Sequence, residues 1–369
     1  MIAPKSDFID FDETLVHLAT AGQPPLLKSH QQAFERFAQD KARGTAGYNA
    51  HWEVGEQAKT LLAKMTGLPA RDHAFVGSAS EGIARVVSSV DWRAGDNAVV
   101  SSKDYPSGRF SFLRLAALGV EPRVVDADDW YIDPDKLIEA CDARTRLVYL
   151  SHVTSLTGQR FDLAYVSEAL TKLGIILLVD ASHSLGVVPV NAQLADFTVS
   201  SAYKYLCATH MGILGWNRTR QPDFNPLSIG WASGDGASDG RTYTLYDDAR
   251  RAQVGNPNHL DIYILETSLR YLLGFGIEPI ANHVRTLADR LHERMSALGM
   301  QVITPDAPGE RAGNVAFATA EDSLIVDQAA QAGILLWDGD ARVRSSVHLF
   351  NTETDIDRYI DWLAERFAP

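Results

Sequence analysis

From Ala74 to Val190 short β-branched apolar runs alternate with stretches of helical periodicity. HAFVGS leads into a helix from Ser80, NAVVSS into GRFSFLRLAALG, and TRLVYLSHV into LAYVSEALTKLG, which runs on to IILLVDASHS. Strands that are apolar at nearly every position are buried on both faces, and amphipathic segments of helix length between them are the crossovers of a parallel or mixed sheet. This half of the chain therefore predicts an α/β domain. The stretch SIGWASGDGASDGRTYTLYDD, rich in Gly, Ser and Asp, holds too little apolar material for a core and predicts a surface loop. Past Pro257, a long helix is predicted through HLDIYILETSLRYLLGFG and a second through ANHVRTLADRLHERMSALG. Short strands are predicted at MQVITP, GNVAFAT and VRSSVHLF, and a last helix at DIDRYIDWLAERFA. These make a smaller α+β domain. No internal repeat or low-complexity tract interrupts the pattern.

The bulk numbers narrow the function classes. With 369 residues, 46% hydrophobic and 22% charged, the chain can bury a large core as two domains or one domain with a satellite. A net charge of −13 without a basic tail argues against nucleic acid as a partner. The two cysteines, Cys141 and Cys207, form neither a disulfide framework nor a zinc spacing, so a reducing cytoplasm and no metal are expected. The start, MIAPKSDFIDFDE, has acids where a signal peptide needs basic residues, and no apolar run approaches membrane-spanning length, so no membrane partner is expected. HExxH, Walker and GxSxG motifs are missing, and GDGASDG neither follows a predicted strand nor opens a helix as a dinucleotide turn must.

One lysine stands out. In SSAYKYLCATHMGILGW, Lys204 follows an apolar strand and precedes another, and lysine is almost never fully buried unless paired or reacting. Upstream, IILLVDASHS delivers Asp180 to a strand's C-terminal end with His183 just after. Ligands of open α/β sheets collect at those ends, so the amine and the carboxylate can face one pocket. Pyridoxal phosphate chemistry uses this pair: lysine forms a Schiff base with the cofactor, and aspartate holds the pyridine nitrogen protonated. Taken singly, Lys204 reads as a surface lysine, and Asp180 equally as a strand-end cap or turn residue.

Around this pair the chain resembles fold-type I pyridoxal-phosphate enzymes of the class V aminotransferase group, which includes cysteine desulfurases, kynureninases and isopenicillin N epimerases. YKYL at Tyr203 to Leu206 is similar to the kynureninase lysine motif, KYLCA to the epimerase branch, and DASHS to the family's aspartate motif. The resemblance implies a large cofactor domain over residues 20–255, with a mainly parallel seven-stranded sheet between helices. It also implies a small α+β domain from residues 1–19 and 256–369. Through VGSASEGI it implies a phosphate turn at Ala79 and Ser80, an anion seat at a helix N-terminus, with Ser201 and Tyr203 also on the phosphate. It places Tyr105 of SSKDYPSGRF stacked on the ring, His183 near the phenolic oxygen, and Thr154 or Ser155 of HVTSLTG beside it.

Arg344 of RVRSSVHLFNTETDID would hold the substrate carboxylate in a bidentate fork. Asn256 of VGNPN would reach the neighbouring subunit's phosphate, which implies a homodimer with its active site at the subunit interface. Lys204, Asp180 and Tyr203 are the implied catalytic residues. Desulfurases carry a cysteine shortly before the carboxylate arginine, and QAGILLWDGDARVR has none, so persulfide chemistry by that route is not expected. The expectation is a pyridoxal 5'-phosphate enzyme acting on a small α-amino acid, leaning to a lyase of eliminating or kynureninase-like type. Aminotransferase, epimerase or racemase, and a non-catalytic cofactor-binding module are the alternatives. The side-chain pocket is expected around Tyr48, His51, Trp52 and Trp231, with residues of a partner subunit.

Overall fold

The structure, a computed structural model, describes residues 2–367. Its centre is a seven-stranded sheet built from β1 (His73–Val76), β2 (Asn97–Ser101), β3 (Glu121–Val125), β4 (Thr145–Ser151), β5 (Ile176–Asp180), β6 (Phe197–Ser201) and β7 (Gly212–Trp216), in the order β1-β7-β6-β5-β4-β2-β3. The five strands from β6 to β3 run parallel, and β7 is antiparallel to both of its neighbours. The mainly parallel α/β sheet expected from the apolar runs is the one the chain forms.

Strand alternation explains why those runs are apolar throughout. Val99, Val148, Leu150, Leu177 and Val179 project into one apolar cluster, and Ala98, Val100, Tyr149, Leu178 and Val199 into another on the opposite face. Helices α3 (Ala79–Ser89) and α4 (Pro106–Arg114) cover the second face, and α5 (Leu163–Leu173) covers the first. Each fully buried aliphatic side chain contributes about 1.5–3 kcal/mol.

Two helices precede the sheet that the sequence pattern did not predict, α1 (Ser29–Lys41) and α2 (Thr45–Thr66). The first is mostly polar, with only His30 and Ala33 buried. The second is interrupted by Gly47 and Gly55, which masks its period, and it stops at Gly67, whose φ of 78° gives a left-handed C-terminal cap. Both pack on α6 (His259–Phe275), the long helix expected past Pro257. The second expected helix is α7 (Ile277–Ala297), and the last is α8 (Glu353–Arg366).

Strands β8 (Asn314–Ala318) and β9 (Arg342–Ser346) pair antiparallel. The segment MQVITP does not form the expected strand. Ile303 N–H donates to Ala316 O at 2.9 Å, but the next ladder position is lost because Ala316 N–H donates to the Thr304 hydroxyl instead of a carbonyl. The glycine-rich stretch is also not pure loop: Gly234–Gly236 and Tyr243–Leu245 form a small antiparallel hairpin.

The N-terminal residues join the C-terminal part. Val16–His17 pair in parallel with Ile334–Leu335, and Lys5 Nζ lies 2.9 Å from Asp355 Oδ1 of α8. One apolar cluster runs from Phe8 through α2, α6 and α7 to Val315 and Val343. Residues 1–19 thus meet the 256–369 part, while α1 and α2, from the 20–255 part, pack on α6 of it; positions 1, 368 and 369 of the expected division lie outside the described residues.

Candidate active site

The turn that follows β6 presents Lys204 at the carboxyl end of the sheet. Ala202 N–H donates to Met211 O, and Cys207 N–H to Lys204 O, so the chain reverses within ten residues and returns as the antiparallel β7. The turn is seated on Gly186, which has a φ of 105° and where a Cβ would fall 2.7 Å from Tyr205 O. Lys204 is only 6% exposed. Its Nζ lies 5.2 Å from the centre of the Tyr105 ring and 5.9 Å from that of Tyr203.

The partners of Lys204 fix its protonation. Lys204 Nζ lies 3.0 Å from His183 Nε2, and His183 Nδ1 lies 2.9 Å from Asn314 Nδ2. Tyr205 donates its hydroxyl hydrogen to Asn314 Oδ1 at 2.5 Å, which commits the amide oxygen and turns the NH2 group toward the imidazole. His183 Nδ1 must then accept, so the neutral ring keeps its proton on Nε2 and donates it to the amine lone pair. That arrangement favours the uncharged form of Lys204. Burial acts in the same direction: it pushes the lysine down to about 8, Asp180 resists, and Arg344 adds to the drop. His183 is held well below the usual imidazole range, first by burial and then by Lys204.

Asp180 ends β5, and both its oxygens are engaged. Ser182 N–H donates to Oδ1 at 2.8 Å and the Tyr149 hydroxyl to Oδ2 at 3.1 Å. A second buried carboxylate, Asp104, was not among the predicted site residues. It accepts from Ser151 N–H at 3.0 Å, from the Ser151 hydroxyl, and from Tyr105 N–H at 2.7 Å. Burial pushes Asp104 up to about 6 against those hydrogen bonds, with Asp180 adding repulsion. It ties β4 to the backbone of Tyr105.

A cavity of about 390 Å³ opens beside Lys204, lined by Tyr105, His183, Tyr203, Arg342 and Arg344 among others. Arg344 Nη1 donates to Ser155 O at 2.7 Å, and its guanidinium lies 5.8 Å from the Trp337 ring centre. Burial pushes Arg344 down to about 9, with Arg342 adding to the drop. Tyr203 stacks on His210, with ring centres 4.3 Å apart.

A corner beside this cavity gathers the predicted phosphate residues. Ser78 caps α3 by accepting from Glu81 N–H at 3.0 Å, which leaves the amides of Ala79 and Ser80 as first-turn donors without intrahelical acceptors. The Ser80 hydroxyl lies 2.7 Å from that of Ser107 in the first turn of α4, so two helix starts meet. Ser201 sits opposite Gly212 in the sheet register, and a Cβ on Gly212 would fall 2.3 Å from Ser78 C and 2.7 Å from Ala79 N. Only glycine lets β7 run this close beneath the turn.

Other predicted residues stand apart. Thr154 is turned inward, 2.8 Å from the Thr157 hydroxyl, while its neighbours Ser155 and Leu156 line the cavity. Asn256 accepts from the Tyr48 hydroxyl at 2.9 Å and lines a neighbouring cavity with Gly77 and His210. Tyr48, His51, Trp52 and Trp231 form an aromatic cluster with His259, and none of them lines the Lys204 cavity. Within one chain its aromatic walls are Tyr105, Tyr203 and Trp337 instead.

Sheet, lysine turn and buried carboxylate together define a fold-type I pyridoxal-phosphate enzyme. The chain belongs to the class V aminotransferase family, whose match spans residues 15–359. It is 26% identical over 367 residues to a probable cysteine desulfurase of Methanothermobacter thermautotrophicus, covering 92% of this chain and 91% of that one. It is also 26% identical over 392 residues to the isopenicillin N epimerase of Streptomyces clavuligerus, covering 95% of each. Among solved structures, the cystine C-S lyase C-DES in complex with its reaction product cysteine persulfide matches with a TM-score of 0.88 at 19% identity, covering 96% of this chain and 98% of that one.

The family is pyridoxal-phosphate dependent, and the donor set here suits that group. A near-neutral buried amine, a hydrogen-bonded carboxylate, an aromatic wall and a glycine-floored helix start are the four features it needs. Among the described residues no helix is long and apolar enough to cross a membrane.

Proposed function

We propose that this enzyme is a lyase acting on a small α-amino acid, removing a substituent from the side chain. The observation that carries the reading is Lys204, a buried amine against His183 beside a cavity that Arg344 also lines. When bound, pyridoxal phosphate supplies an electron sink for the charge that develops at the substrate's Cα. Lys204 would carry the group, Asp180 would keep its pyridine nitrogen protonated, and Ala79, Ser80 and Ser201 would hold its phosphate. Tyr105 and His183 would flank the ring.

The chain's own residues supply the rest. Arg344 holds the substrate carboxylate and so fixes which bond faces the cofactor. Lys204 Nζ takes the α-proton, a task suited to an amine whose affinity for protons is lowered to about 8. Tyr203, which lines the same cavity and stacks on His210, would deliver a proton to the departing group. The thiols support elimination over persulfide transfer: burial pushes Cys207 up to about 12 and Cys141 up to about 11, so neither is a nucleophile near neutral pH. Both are free, in keeping with a cytoplasmic protein. Asn256, exposed beside the first turn of α3, supports a homodimer in which it reaches the partner's phosphate site.

The test is incubation of the loaded enzyme with a panel of amino acids and no keto acid. Continuous release of ammonia and keto acid is expected. One stoichiometric turnover that resumes only when a keto acid is added would assign an aminotransferase, and loss of optical rotation without either product would assign an epimerase.

The phosphate corner gives a separate prediction. Gly212→Ala drives a Cβ into the Ser78–Ala79 peptide, and such overpacking typically costs about 1–3 kcal/mol. Cofactor affinity should fall by about tenfold or more while the fold survives. Absorbance titration of the cofactor-free protein reads this directly, and unchanged affinity would remove Ala79 and Ser80 from the phosphate site.

A further inference from the structure

Arg342 has no part in the chemistry above, yet it lines the same cavity as Lys204 and Arg344. It lies two residues before Arg344 on β9, so strand alternation puts both side chains on one face, with Cα atoms about 7 Å apart. Arg342 is 3% exposed, and its Nε and Nη1 are buried without any hydrogen-bond partner among the described residues. Arg344 Nε is likewise unpartnered. The two acids on the cavity wall nearby, Asp338 and Asp340, form no ion pair with either arginine among the described residues, and Asp338 is already engaged by the Ser323 hydroxyl at 2.7 Å.

A purely structural arginine in such a place would be paired, because an unpaired buried cation costs several kcal/mol. Elsewhere in this chain several buried or partly buried arginines are paired: Arg290 and Arg294 share Asp357, and Arg311 meets Asp289. Arg342 instead lines a cavity wall while two of its buried guanidinium nitrogens have no acceptor among the described residues. One α-carboxylate saturates one guanidinium fork, so a second guanidinium without a counter-ion on the same wall calls for a second anionic group on the ligand.

We propose that Arg342 is a specificity-determining residue that binds the side-chain carboxylate of a dicarboxylic amino acid whose α-carboxylate is held by Arg344. This rests on the reading of Arg344 as the carboxylate clamp. The substrate class is then an amino acid that bears a second carboxylate together with a removable side-chain substituent.

The test is calorimetric titration of the cofactor-loaded enzyme, in a buffer free of phosphate and carboxylate, with unreactive succinate, glutarate and butyrate. A charge-assisted contact of this kind should make the better dicarboxylate bind about tenfold or more tighter than butyrate. Arg342→Gln should erase that advantage and leave butyrate binding within about twofold, whereas Arg344→Gln should weaken all three. If dicarboxylates bind no better than butyrate to the unmutated enzyme, the proposal falls without reference to any variant. An equal loss for all three ligands in Arg342→Gln would also overturn it, since both arginines would then hold one carboxylate. If Arg344→Gln changes none of them, the carboxylate clamp itself is misassigned and the proposal falls with it.

Discussion

Replacing Lys204 by alanine is expected to reduce turnover of every amino acid by at least about 10⁴-fold, because in the proposed mechanism one side chain both carries the cofactor and moves the α-proton. The same site makes an opposite prediction for stability. Burial lowers this lysine from 10.5 to about 8, so protonating it costs the folded state more than the unfolded one. Below pH 8 it is charged in both states and the full penalty applies; between pH 8 and 10.5 only the unfolded chain still holds the proton, and stability rises with pH. A Lys204→Met variant removes the penalty.

In the cofactor-free form at pH 7 that variant should therefore be more stable than the parent, by an order of roughly 3 kcal/mol at 1.36 kcal/mol per pH unit. The gain should shrink as the pH is raised toward 10.5. Denaturant unfolding at pH 7 and pH 10 measures both numbers. A variant that retains more than about 1% of the parent's turnover would disprove the catalytic assignment, and a stability gain independent of pH would show that burial does not lower the lysine's affinity for protons.

Residues in regular apolar context were legible in the sequence. Asp180 and Lys204 are flanked by runs whose burial on both faces is written in their composition, so the strands and their C-terminal ends could be placed before any coordinates. The residues that were missed lack a local signature. Asp104 in KDYP reads as an exposed turn acid, and only the folded chain shows it accepting from both the backbone and the hydroxyl of Ser151, 47 positions away. Asn314 heads an ordinary strand, and its bond to His183 spans 131 positions. Arg342 does carry a local signature: RVRSS in a strand puts Arg342 and Arg344 on the same face. Helix α2 was hidden because its two internal glycines break the period, while its burial comes from α6, some 200 residues later.

Asp180→Asn should leave the fold intact and remove most of the activity. The amide can keep Oδ1 toward the Ser182 N–H and donate from Nδ2 to the Tyr149 hydroxyl, which can turn its own hydrogen toward Ser151 Oγ at 3.5 Å. What is lost is the negative charge. Removing one partner of a buried charge pair costs about 3–5 kcal/mol, so kcat should fall by about 10²–10⁴-fold. KM should change little, because Arg344 and its hydrogen bond to Ser155 are untouched. A second readout separates this from simple damage: Asp180 is one of the influences that raise Asp104 to about 6. In the variant the Asp104 carboxyl should titrate at lower pH, measured by carboxyl NMR on cofactor-free protein. A purely structural Asp180 would instead give kcat near the parent value, and that result would require another group to hold the pyridine nitrogen.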